Sequence, residues 1–453
     1  MERVAVLDVG KTHAKLTLVA ADGAVLSRMV HANRAGRFLD SDGVENLLEA
    51  GLRDFARLGP VDAIVPVAHG AAAAIVAGER ILFPPVDYEL DPGAGCLAAY
   101  RAQRDPFLHS GSPAMPLGLN LGAQLHRLEA DGFIWPAAAR LLLLPQFWAW
   151  RLCGEQGAEL SSLGCHTDLW FPRAAAPSDL AVQRGWAARL PPLIPASEVL
   201  GPLSPEWQRR TGLGPTRILC GIHDSNAALH GARSLAGIHR SASLLSTGTW
   251  FIAMAPGAAW PDPALEHRDV LVNIDPAGKP VPSARFMGGR ERELLAGADP
   301  LPGTCAGAIE AVIAGDAVPR AGFGGHGGPF AGRRGNWARR PDGAAERQAA
   351  ISLYLSLMTM EMLDILGVGG PLLLDGPAAH DEIFGAALAR FLWPSPVGRC
   401  TADLVLLGAL RLAGCCAPVA ELVPFTPARE AVAEYRAAWR KPPEPAGGNG
   451  TRN

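Results

Sequence analysis

The feature that most constrains the fold is an apolar strand that ends in an aspartate and turns back at once through glycine. The segment VAVLDVGKTHAKLTLV (4–19) places Asp8 near the end of one strand and Gly10 in the turn before the next. A third strand, AVLSRMV, follows the turn signal Ala-Asp-Gly at 21–23, so the pattern predicts a three-stranded meander. A buried carboxylate is costly without a partner, and Asp8 therefore indicates a turn, a cation or a ligand.

A helix and a further strand follow the meander. The segment SDGVENLLEAGLRDFARLG has apolar residues at helical spacing, and we expect Ser41 or Asp42 to cap it. The segment VDAIVPVA (61–68) predicts a buried strand that ends at His69 and Gly70. This order of elements predicts an α/β fold with a mixed sheet.

The middle of the chain, 85–215, is rich in Pro, Trp and Gly and has few regular patterns. Within it, RLLLLPQFWAWRLCG (140–154) predicts a helix interrupted near Pro145. A short strand, a tight junction and an Ala-rich helix resume in TRILCGIHDSNAALHGA (216–232).

A second strand–turn–strand pattern opens the other half of the chain. The segment SASLLSTGTWFIAM (241–254) predicts a hairpin, and a long helix, the strand PLLLDG and another helix follow it. With 453 residues, two or more domains are expected. We predict domains at 1–235 and 236–440 and a disordered tail at 441–453.

Composition excludes several classes of function. The formal charge is −3, from 41 basic and 44 acidic residues, which gives no general reason to expect nucleic acid or an anionic membrane as a partner. The longest aliphatic run, Leu141–Leu144, is too short to span a bilayer. None of the eight cysteines forms a C-x-x-C pair, which predicts free thiols in a reducing compartment. With no leader sequence apparent, we expect a cytoplasmic protein.

Two glycine turns that face each other from separate halves would line a cleft with backbone N–H groups, which suit phosphate oxygens. Asp8 would hold Mg²⁺ there, directly or through water, because magnesium prefers few carboxylates and several waters. Lys11 and Lys15 would neutralise nucleotide phosphates. The alternative is that Asp8 and Gly10 only form a hairpin turn and that both lysines are solvated.

The segment GIHDSN (221–226) holds a His-Asp pair at a strand-to-helix junction. Asp224 is a candidate general base for a substrate hydroxyl. The alternative is that Asp224 caps the helix that opens at Ser225, a common position for aspartate. A third segment, Asp375–Gly376–Pro377, links a buried strand to a helix and lies beside a nucleotide base or forms an ordinary loop.

Taken together, these segments resemble a known family. DVGKTHAKL, GIHDSNAAL, LLSTGTW, LLLDGPAAHDEIFGAALA and LLGALRLAG (406–414) occur in the order typical of the FGGY carbohydrate kinases. The chain is especially similar to their rhamnulokinase and fuculokinase branch, in which HD followed by SGTW is typical. The resemblance covers 1–32 and 216–415 well and 60–215 only loosely.

The resemblance implies two ribonuclease-H-like, actin-related domains with a cleft between them, which close on MgATP and a sugar. The residues that match the family's functional positions are Asp8 on the metal side, Gly10, Lys11, Thr12 and Lys15 in the first phosphate loop, Gly248 and Thr249 in the second, Gly376 at the nucleotide base, His69 and Gly70 in a sugar-contacting turn, His223 near the sugar and Asp224 as the catalytic base. A homodimer is a possible assembly for a protein of this class.

The chain also departs from the family pattern. Lys11–Thr12 stands where the family has Thr-Thr or Ser-Ser, and Pro377 follows Gly376 where a further Gly or Ser is usual. Proline removes a backbone donor, which bears on nucleotide preference. The segment GFGGHGGPFAGRRGNWARR (322–340) lies where the family is variable, and we interpret it as an exposed loop rather than a lid.

The predicted activity is ATP-dependent phosphorylation of a hydroxyl of a ketose, such as a 6-deoxyketohexose or a ketopentose. The alternatives are a non-catalytic sugar or nucleotide sensor on the same scaffold and a nucleotide hydrolase that acts on no sugar. Four polar residues of the middle segment are candidate sugar contacts or satisfied core residues: Gln124, Gln146, His166 and Asp168.

Overall fold

The computed structural model describes residues 2–34, 36–233, 235, 242–297, 307–324, 327–415 and 421–440. The predicted domain boundary after residue 235 adjoins residues outside this description. The predicted tail, 441–453, lies wholly outside it.

Strands and helices alternate along the first half of the chain. In order they are β1 (Arg3–Val9), β2 (His13–Ala20), β3 (Val25–Ala32), α1 (Ser41–Leu58), β4 (Ala63–Ala68), β5 (Ala73–Ala77), β6 (Arg80–Phe83), α2 (Ala94–Arg101), α3 (Phe107–Ser110), α4 (Leu121–Ala130), β7 (Arg140–Leu143), α5 (Leu144–Cys153), α6 (Leu160–Leu163), β8 (Trp170–Phe171), β9 (Ala176–Pro177), α7 (Asp179–Gln183), β10 (Val199–Pro202), α8 (Pro205–Thr211), β11 (Arg217–Leu219), β12 (Ile222–His223) and α9 (Asp224–Ala232).

The second half repeats the alternation. Its elements are β13 (Ser243–Thr247), β14 (Phe251–Met254), β15 (Val270–Ile274), β16 (Pro280–Phe286), α10 (Gly288–Ala296), α11 (Ala308–Ala314), α12 (Ala344–Ile365), β17 (Leu372–Asp375), α13 (Glu382–Phe391), β18 (Val397–Cys400), α14 (Leu404–Leu412), β19 (Leu422–Pro424) and α15 (Glu430–Arg440). Short 3₁₀ helices lie at Ala187–Arg189, Pro263–Arg268 and Pro377–His380.

The chain divides into two compact units, each built from several segments. Unit 1 comprises Met1–Leu244, Met254–Ala284 and Cys400–Leu422. Unit 2 comprises Leu245–Ala253, Arg285–Arg399 and Val423–Asn453.

The main sheet of unit 1 has the strand order β10-β11-β4-β1-β2-β3, and β12 also pairs with β4. The predicted meander is confirmed, because β1 pairs antiparallel with β2 and β2 pairs antiparallel with β3. Strand β1 is apolar on both faces: Leu7 packs in a core with Phe55 of α1, whereas Val6 packs in a core with Leu410 of α14. Burial of both faces explains why the strand reads as a continuous apolar run.

Two local predictions are wrong. Pro145 does not interrupt a helix: β7 ends at Leu143 and Pro145 lies in the first turn of α5, where the missing N–H costs nothing. Neither Ser41 nor Asp42 caps α1. The cap is Asp40, whose carboxylate accepts a hydrogen bond from Gly43 N.

Within unit 2, the strands adjoin in the order β14-β13-β17-β18-β19, and β17 pairs parallel with β18. The predicted long helix is confirmed as α12, which is buried over most of its length and packs against α10, α11 and α13. It stops before Gly367, whose φ of +66° favours glycine.

In the described part of the chain, no cysteine takes part in a disulfide. Within the same residues, every helix is too short or too polar to cross a membrane.

Helices α9 and α14 of unit 1 approach each other through two glycines. A Cβ at Gly231 would lie 2.1 Å from Leu404 O, and a Cβ at Gly408 would lie 2.0 Å from Ala227 O. Neither position accepts a side chain without a backbone shift. Because α9 begins at Asp224, this contact between the helices fixes the position of the helix end that carries Asp224.

We predict that Gly408→Ala destabilises the protein by about 1–3 kcal/mol, since the added methyl group forces the two backbones apart. The matched control is Gly95→Ala on α2, where a Cβ meets open space and alanine is the better helix former. Urea unfolding of both variants tests this. Equal stability of the two variants would contradict the close helix contact.

Candidate active site

Three neighbouring strands of unit 1 end at the same edge of the sheet. Strand β4 pairs parallel with β1, where Asp8 lies opposite Val67, and it pairs parallel with β12, where Val67 lies opposite Ile222. Two residues beyond these positions the chain reaches Gly10, His69 and Asp224. Ligands of open α/β sheets bind at the carboxyl ends of such strands. The register therefore brings the predicted metal, sugar and catalytic residues of unit 1 together.

Asp8 is a carboxylate in a costly environment. Its side chain is 18% exposed and its Oδ2 lies 3.3 Å from Lys15 Nζ. Burial raises the pKa of Asp8 to about 6 despite the nearby Lys15 ammonium, and the negative charge of Asp224 adds to the rise. The Lys15 side chain is 43% exposed, and its ammonium pairs with Asp8; its predicted role in neutralising nucleotide phosphate stays a prediction.

The turn after Asp8 is held by a residue that the sequence analysis missed. Gly10 N donates to His13 O at 3.0 Å, which closes the turn. Asn33 Nδ2 donates to Gly10 O at 2.8 Å, and Asn33 N donates to Thr12 O at 2.9 Å. Asn33 lies just beyond β3, and nothing in its local pattern marks it as part of the loop.

Lys11 makes its ionic contacts with a neighbouring loop. Its ammonium pairs with Asp87 and lies 3.5 Å from Glu89 Oε2. It also lies 5.0 Å from the centre of the Tyr88 ring. Two carboxylates thus match the charge of Lys11 in this structure, and its predicted contact with nucleotide phosphate stays a prediction.

His69 carries an acceptor with no partner. Its Nδ1 lies 2.8 Å from Gly70 O, so Nδ1–H donates and Nε2 bears the lone pair. Burial lowers the pKa of His69, which keeps the ring neutral, and the side chain is 7% exposed. Within the described residues Nε2 has no hydrogen-bond partner. A buried nitrogen of this kind suits a ligand hydroxyl.

Asp224 is not the cap of its helix. The cap position of α9 is His223, and Asp224 is the first helical residue. Its Oδ1 accepts from Ser225 N at 2.5 Å and from Ser225 Oγ at 3.2 Å, and His223 Nε2 lies 3.2 Å from the same oxygen. In the part of the chain that the structure describes, Oδ2 accepts no hydrogen bond.

The junction before Asp224 requires glycine. Gly221 has a φ of +88°, and a Cβ there would lie 2.5 Å from Pro66 O. Gln146 Nε2 donates to Cys220 O and Gly221 O, each at 3.2 Å. Gln146 therefore holds the break between β11 and β12.

The remaining predicted nucleotide residues lie in unit 2. Gly376 has a φ of +85°, and a Cβ there would lie 2.2 Å from Thr247 O. Thr247 Oγ1 donates to Asp375 O at 2.6 Å and accepts from Ala378 N at 3.0 Å. Thr247 thus joins the end of β13 to the loop that contains Gly376. The structure therefore brings Gly376 close to the turn at Gly248 and Thr249.

A second glycine supports that turn. A Cβ at Gly289 would lie 2.2 Å from Gly248 O, and Gly289 N donates to Thr249 O at 3.2 Å. The start of α10 therefore packs directly on the backbone of the turn. Thr247 and Gly289 were not among the predicted site residues, although Thr247 belongs to the small-residue turn that the sequence marks.

Two of the middle-segment candidates, the buried Asp168 and the half-buried Gln124, have hydrogen-bond partners within the protein. Asp168 accepts from Tyr100 Oη, from Arg104 Nε at 3.2 Å and from Asn120 Nδ2 at 3.2 Å. Gln124 Nε2 donates to Ala71 O at 2.7 Å and to Gly118 O at 2.6 Å. The core alternative, rather than sugar contact, accounts for both.

Comparisons with known proteins agree on one family. The chain matches the family model "Carbohydrate kinase FGGY, C-terminal domain" over residues 239–418. It is similar to the crystal structure of a carbohydrate kinase from Novosphingobium aromaticivorans, with 40% identity, a TM-score of 0.88, and coverage of 97% of this chain and 98% of that one. Comparison with curated protein sequences found no significant match.

More distant structures share the fold. A ligand-bound xylulose kinase from Lactobacillus acidophilus matches with 13% identity and a TM-score of 0.77, over 97% of this chain and 96% of that one. A gluconate kinase from the same organism matches with 14% identity, a TM-score of 0.77 and the same coverage. At this level of identity, the similarity shows only that the chain has the same fold. This is the fold of the FGGY kinases, with mixed α/β sheets.

We predict that Asp8→Asn stabilises the metal-free protein increasingly as the pH rises from about 4 to 7. A folded-state pKa of about 6, above the ordinary 3.8, means that the wild type is stabilised below pH 4 and loses that stabilisation as the pH passes through 6. The difference between these two pKa values corresponds to a change of up to ~3 kcal/mol in the free energy of unfolding. Urea unfolding of both proteins in a chelator measures it, and a pH-independent difference would contradict the buried carboxylate.

We predict that Thr247→Val lowers the unfolding free energy by about 1–3 kcal/mol and weakens ATP binding, because the half-buried Asp375 carbonyl and the buried Ala378 N–H each lose a hydrogen bond. The matched control is Thr359→Val on α12, since Thr359 Oγ1 is buried and has no partner within the described residues. Urea unfolding and titration calorimetry with ATP measure both effects. Equal losses of stability and of ATP affinity in the two variants would show that the hydrogen bonds of Thr247 contribute to neither.

Proposed function

Because the chain belongs to the FGGY carbohydrate kinase family, we propose that it transfers the γ-phosphoryl group of ATP to a hydroxyl of a ketose, with Asp224 as the general base. The sugar kinases of this family use ATP. The observation that carries the proposal is the register of β1, β4 and β12, which places Asp8, His69 and Asp224 at one edge of the sheet.

The position of Asp224 supports its role as base. Its Oδ1 is engaged by Ser225, whereas Oδ2 accepts no hydrogen bond from the described residues. An oxygen without a partner is free to accept the proton of a bound hydroxyl. The side chain is 32% exposed, so a ligand can reach it.

His69 supports a sugar rather than a non-hydroxylic substrate. Its unpartnered Nε2 is an acceptor; burial lowers the pKa of the ring, and the negative charge of Asp224 only partly opposes that effect. A neutral acceptor near the proposed base suits a second hydroxyl of a polyhydroxylated substrate. Two kinases with the same fold are named for polyhydroxylated substrates of this kind, xylulose and gluconate.

The residues present fit a magnesium ion that arrives with the nucleotide. The described residues contain no group of three or more His, Cys, Asp or Glu that could hold a resident metal. Mg²⁺ bound through one carboxylate, water and phosphate needs no such group, and Asp8 supplies a hard oxygen. When bound, Mg²⁺ would stabilise the charge on the transferring phosphoryl group.

In the proposed reaction Asp224 takes the proton of the sugar hydroxyl as the hydroxyl oxygen bonds to the γ-phosphorus. The bond from the γ-phosphorus to the bridging oxygen breaks, and ADP leaves. The backbone N–H groups of the residues near Gly10 and near Gly248 would stabilise charge on the phosphoryl oxygens, because the N–H groups of the two glycines themselves donate to His13 O and Trp250 O. Gly376 lies beside the nucleotide base, and Lys15 offsets negative charge near Asp8.

The finer assignments stay predictions: the rhamnulokinase and fuculokinase branch, a 6-deoxyketohexose or ketopentose as substrate, the cleft between ribonuclease-H-like domains, a cytoplasmic location and a homodimer. The sensor alternative is tested by the same experiment as the kinase. The interpretation of residues 322–340 as an exposed loop rather than a lid stays a prediction, and the segment enters no step of the mechanism. Among its described residues, Gly335 N donates to Gly322 O at 2.8 Å.

We predict that Asp224→Asn lowers kcat by about 10²–10⁴-fold, since the amide cannot accept the proton. Sugar binding should change little, because the amide keeps the shape of the carboxylate. Steady-state ADP release and titration calorimetry with the sugar measure the two effects.

The matched control is Asp54→Asn, an exposed aspartate on α1, which should retain full activity. Full activity of Asp224→Asn would remove Asp224 from the mechanism. Sugar binding without phosphoryl transfer in the wild type would favour the sensor.

A further inference from the structure

A short acidic segment of unit 1, Asp87–Glu89, contacts two groups of the candidate site. Its backbone is anchored, since Asp87 N donates to Arg37 O at 3.1 Å and Gly118 N donates to Tyr88 O at 2.9 Å. Asp87 Oδ1 accepts from Glu89 N at 2.9 Å, which fixes the turn within the segment. These bonds give the three side chains of the acidic segment defined positions.

The acidic segment matches the charge of Lys11. The Lys11 ammonium donates to Asp87, whose side chain is 10% exposed, and lies 3.5 Å from Glu89 Oε2. It also lies 5.0 Å from the centre of the Tyr88 ring, within the range of a cation–π contact. One ammonium and two carboxylates carry a net charge of −1, which does not attract a phosphate group. A phosphate that reached Lys11 would also approach both carboxylates.

The backbone at Lys11 is held without the Lys11 side chain. Asn33 Nδ2 donates to Gly10 O at 2.8 Å, and Asn33 N donates to Thr12 O at 2.9 Å. Gly10 N donates to His13 O at 3.0 Å. Because these bonds form the turn, the ammonium of Lys11 is not needed to shape it. The ion pair with Asp87 therefore serves another purpose.

Tyr88 carries the contact from Lys11 onward to His69. The rings of Tyr88 and His69 meet edge to face, with centres 5.3 Å apart and planes at 86°, an arrangement that aromatic rings favour. His69 Nδ1 lies 2.8 Å from Gly70 O, and Nε2 has no hydrogen-bond partner among the residues that the structure describes. The contacts with Tyr88 and with Gly70 O thus set the direction of the unpartnered Nε2.

We propose that Lys11 is a positioning residue for the sugar side of the site: its ion pair with Asp87 and its contact with Tyr88 hold that ring against His69. The inference rests on the proposed function, which assigns His69 to a sugar hydroxyl. Lys11 then acts through Tyr88 and is not a ligand of nucleotide phosphate. This role also accounts for the departure at Lys11, where the family has a hydroxyl residue, because the acidic segment supplies the carboxylates that a lysine there requires.

Two variants remove the ion pair from opposite sides. Lys11→Met keeps a long unbranched side chain and loses the charge. Asp87→Asn keeps an Oδ1 acceptor for Glu89 N, so the turn within the acidic segment survives. The matched control is Lys279→Met, since Lys279 is an exposed lysine in the turn between β15 and β16.

Calorimetry with MgATP distinguishes a positioning residue from a phosphate ligand. Both ion-pair variants should bind MgATP within about threefold of the wild type, because the turn at Gly10 is unchanged. If Lys11 were a phosphate ligand, Lys11→Met would weaken MgATP binding by about tenfold or more. Asp87→Asn would then tighten MgATP binding, because it releases the ammonium. Either of these two changes would overturn the proposal.

The position of the His69 ring is measured by NMR without any sugar. Protein labelled with ¹³C at histidine Cε1 gives a resonance for each histidine, and the resonance missing in His69→Gln assigns His69. Tyr88→Leu should shift this resonance, because the neighbouring ring is removed. Lys11→Met and Asp87→Asn should shift it as well, whereas Lys279→Met should not. A His69 resonance that stays unchanged in both ion-pair variants would show that Lys11 does not hold the ring pair together.

Kinetics measure the consequence for catalysis, with the sugar that gives the fastest ADP release among ketopentoses, 6-deoxyketohexoses, tetruloses and polyols. Lys11→Met and Asp87→Asn should each raise KM for that sugar by about tenfold and leave KM for ATP within about threefold. The double variant should lose no more than either single variant, because both changes remove the same ion pair. A wild-type sugar KM in both single variants would contradict the positioning role.

The failures are distinguishable. A wild type that phosphorylates a sugar, with ion-pair variants that match it in every measurement, defeats the positioning role alone. A wild type that binds MgATP and phosphorylates no sugar defeats the proposed function, and the NMR and MgATP results then decide whether Lys11 holds the ring pair. Lys11→Met leaves the Asp87 carboxylate without its ammonium. Should that variant fail to fold, Asp87→Asn and the double variant give the same three measurements.

Discussion

The site in unit 1 depends on the parallel pairing of β4 with both β1 and β12. Parallel strands end at a common edge, so a chain that pairs Asp8 with Val67 and Val67 with Ile222 places the next residues of each strand side by side. The positions of Gly10, His69 and Asp224 follow from this register and not from their separation in sequence. A slip of one residue in β4 would turn its side chains to the opposite face and separate the three groups.

This arrangement has a cost in stability. A buried carboxylate at Asp8 and a buried nitrogen without a partner at His69 are both unfavourable in the ligand-free protein. The surrounding structure offsets the cost with apolar packing on both faces of the sheet and with backbone contacts such as that between α9 and α14. Groups that are unsatisfied without ligand are the ones that substrate, metal or nucleotide would satisfy, which is a common property of functional sites.

Much of the fold was predictable from local patterns, because the meander, the long helix α12 and the junction before Asp224 have strong periodicity or turn signals. The ends of elements were less predictable: Asp40 rather than Ser41 caps α1, and Pro145 starts a helix instead of interrupting one. Which residues surround the site could not be predicted. Asn33, Thr247 and Gly289 each contact the backbone of a loop that only the tertiary fold brings next to them. From its sequence, Asp168 could be either a sugar contact or a satisfied core residue; only the fold brings Arg104 and Asn120, which are far away in sequence, within hydrogen-bond distance of it.

In the proposed function the chain couples ATP cleavage to phosphorylation of a sugar hydroxyl. The most direct test is ADP release from MgATP by the purified protein, with and without ketopentoses, 6-deoxyketohexoses, tetruloses and polyols. One or a few of these sugars should raise the rate of ADP release well above the rate without sugar, and a phosphorylated sugar should form in equal amount. A folded protein that binds ATP and releases ADP at the same rate with every sugar and with none would contradict the proposed function.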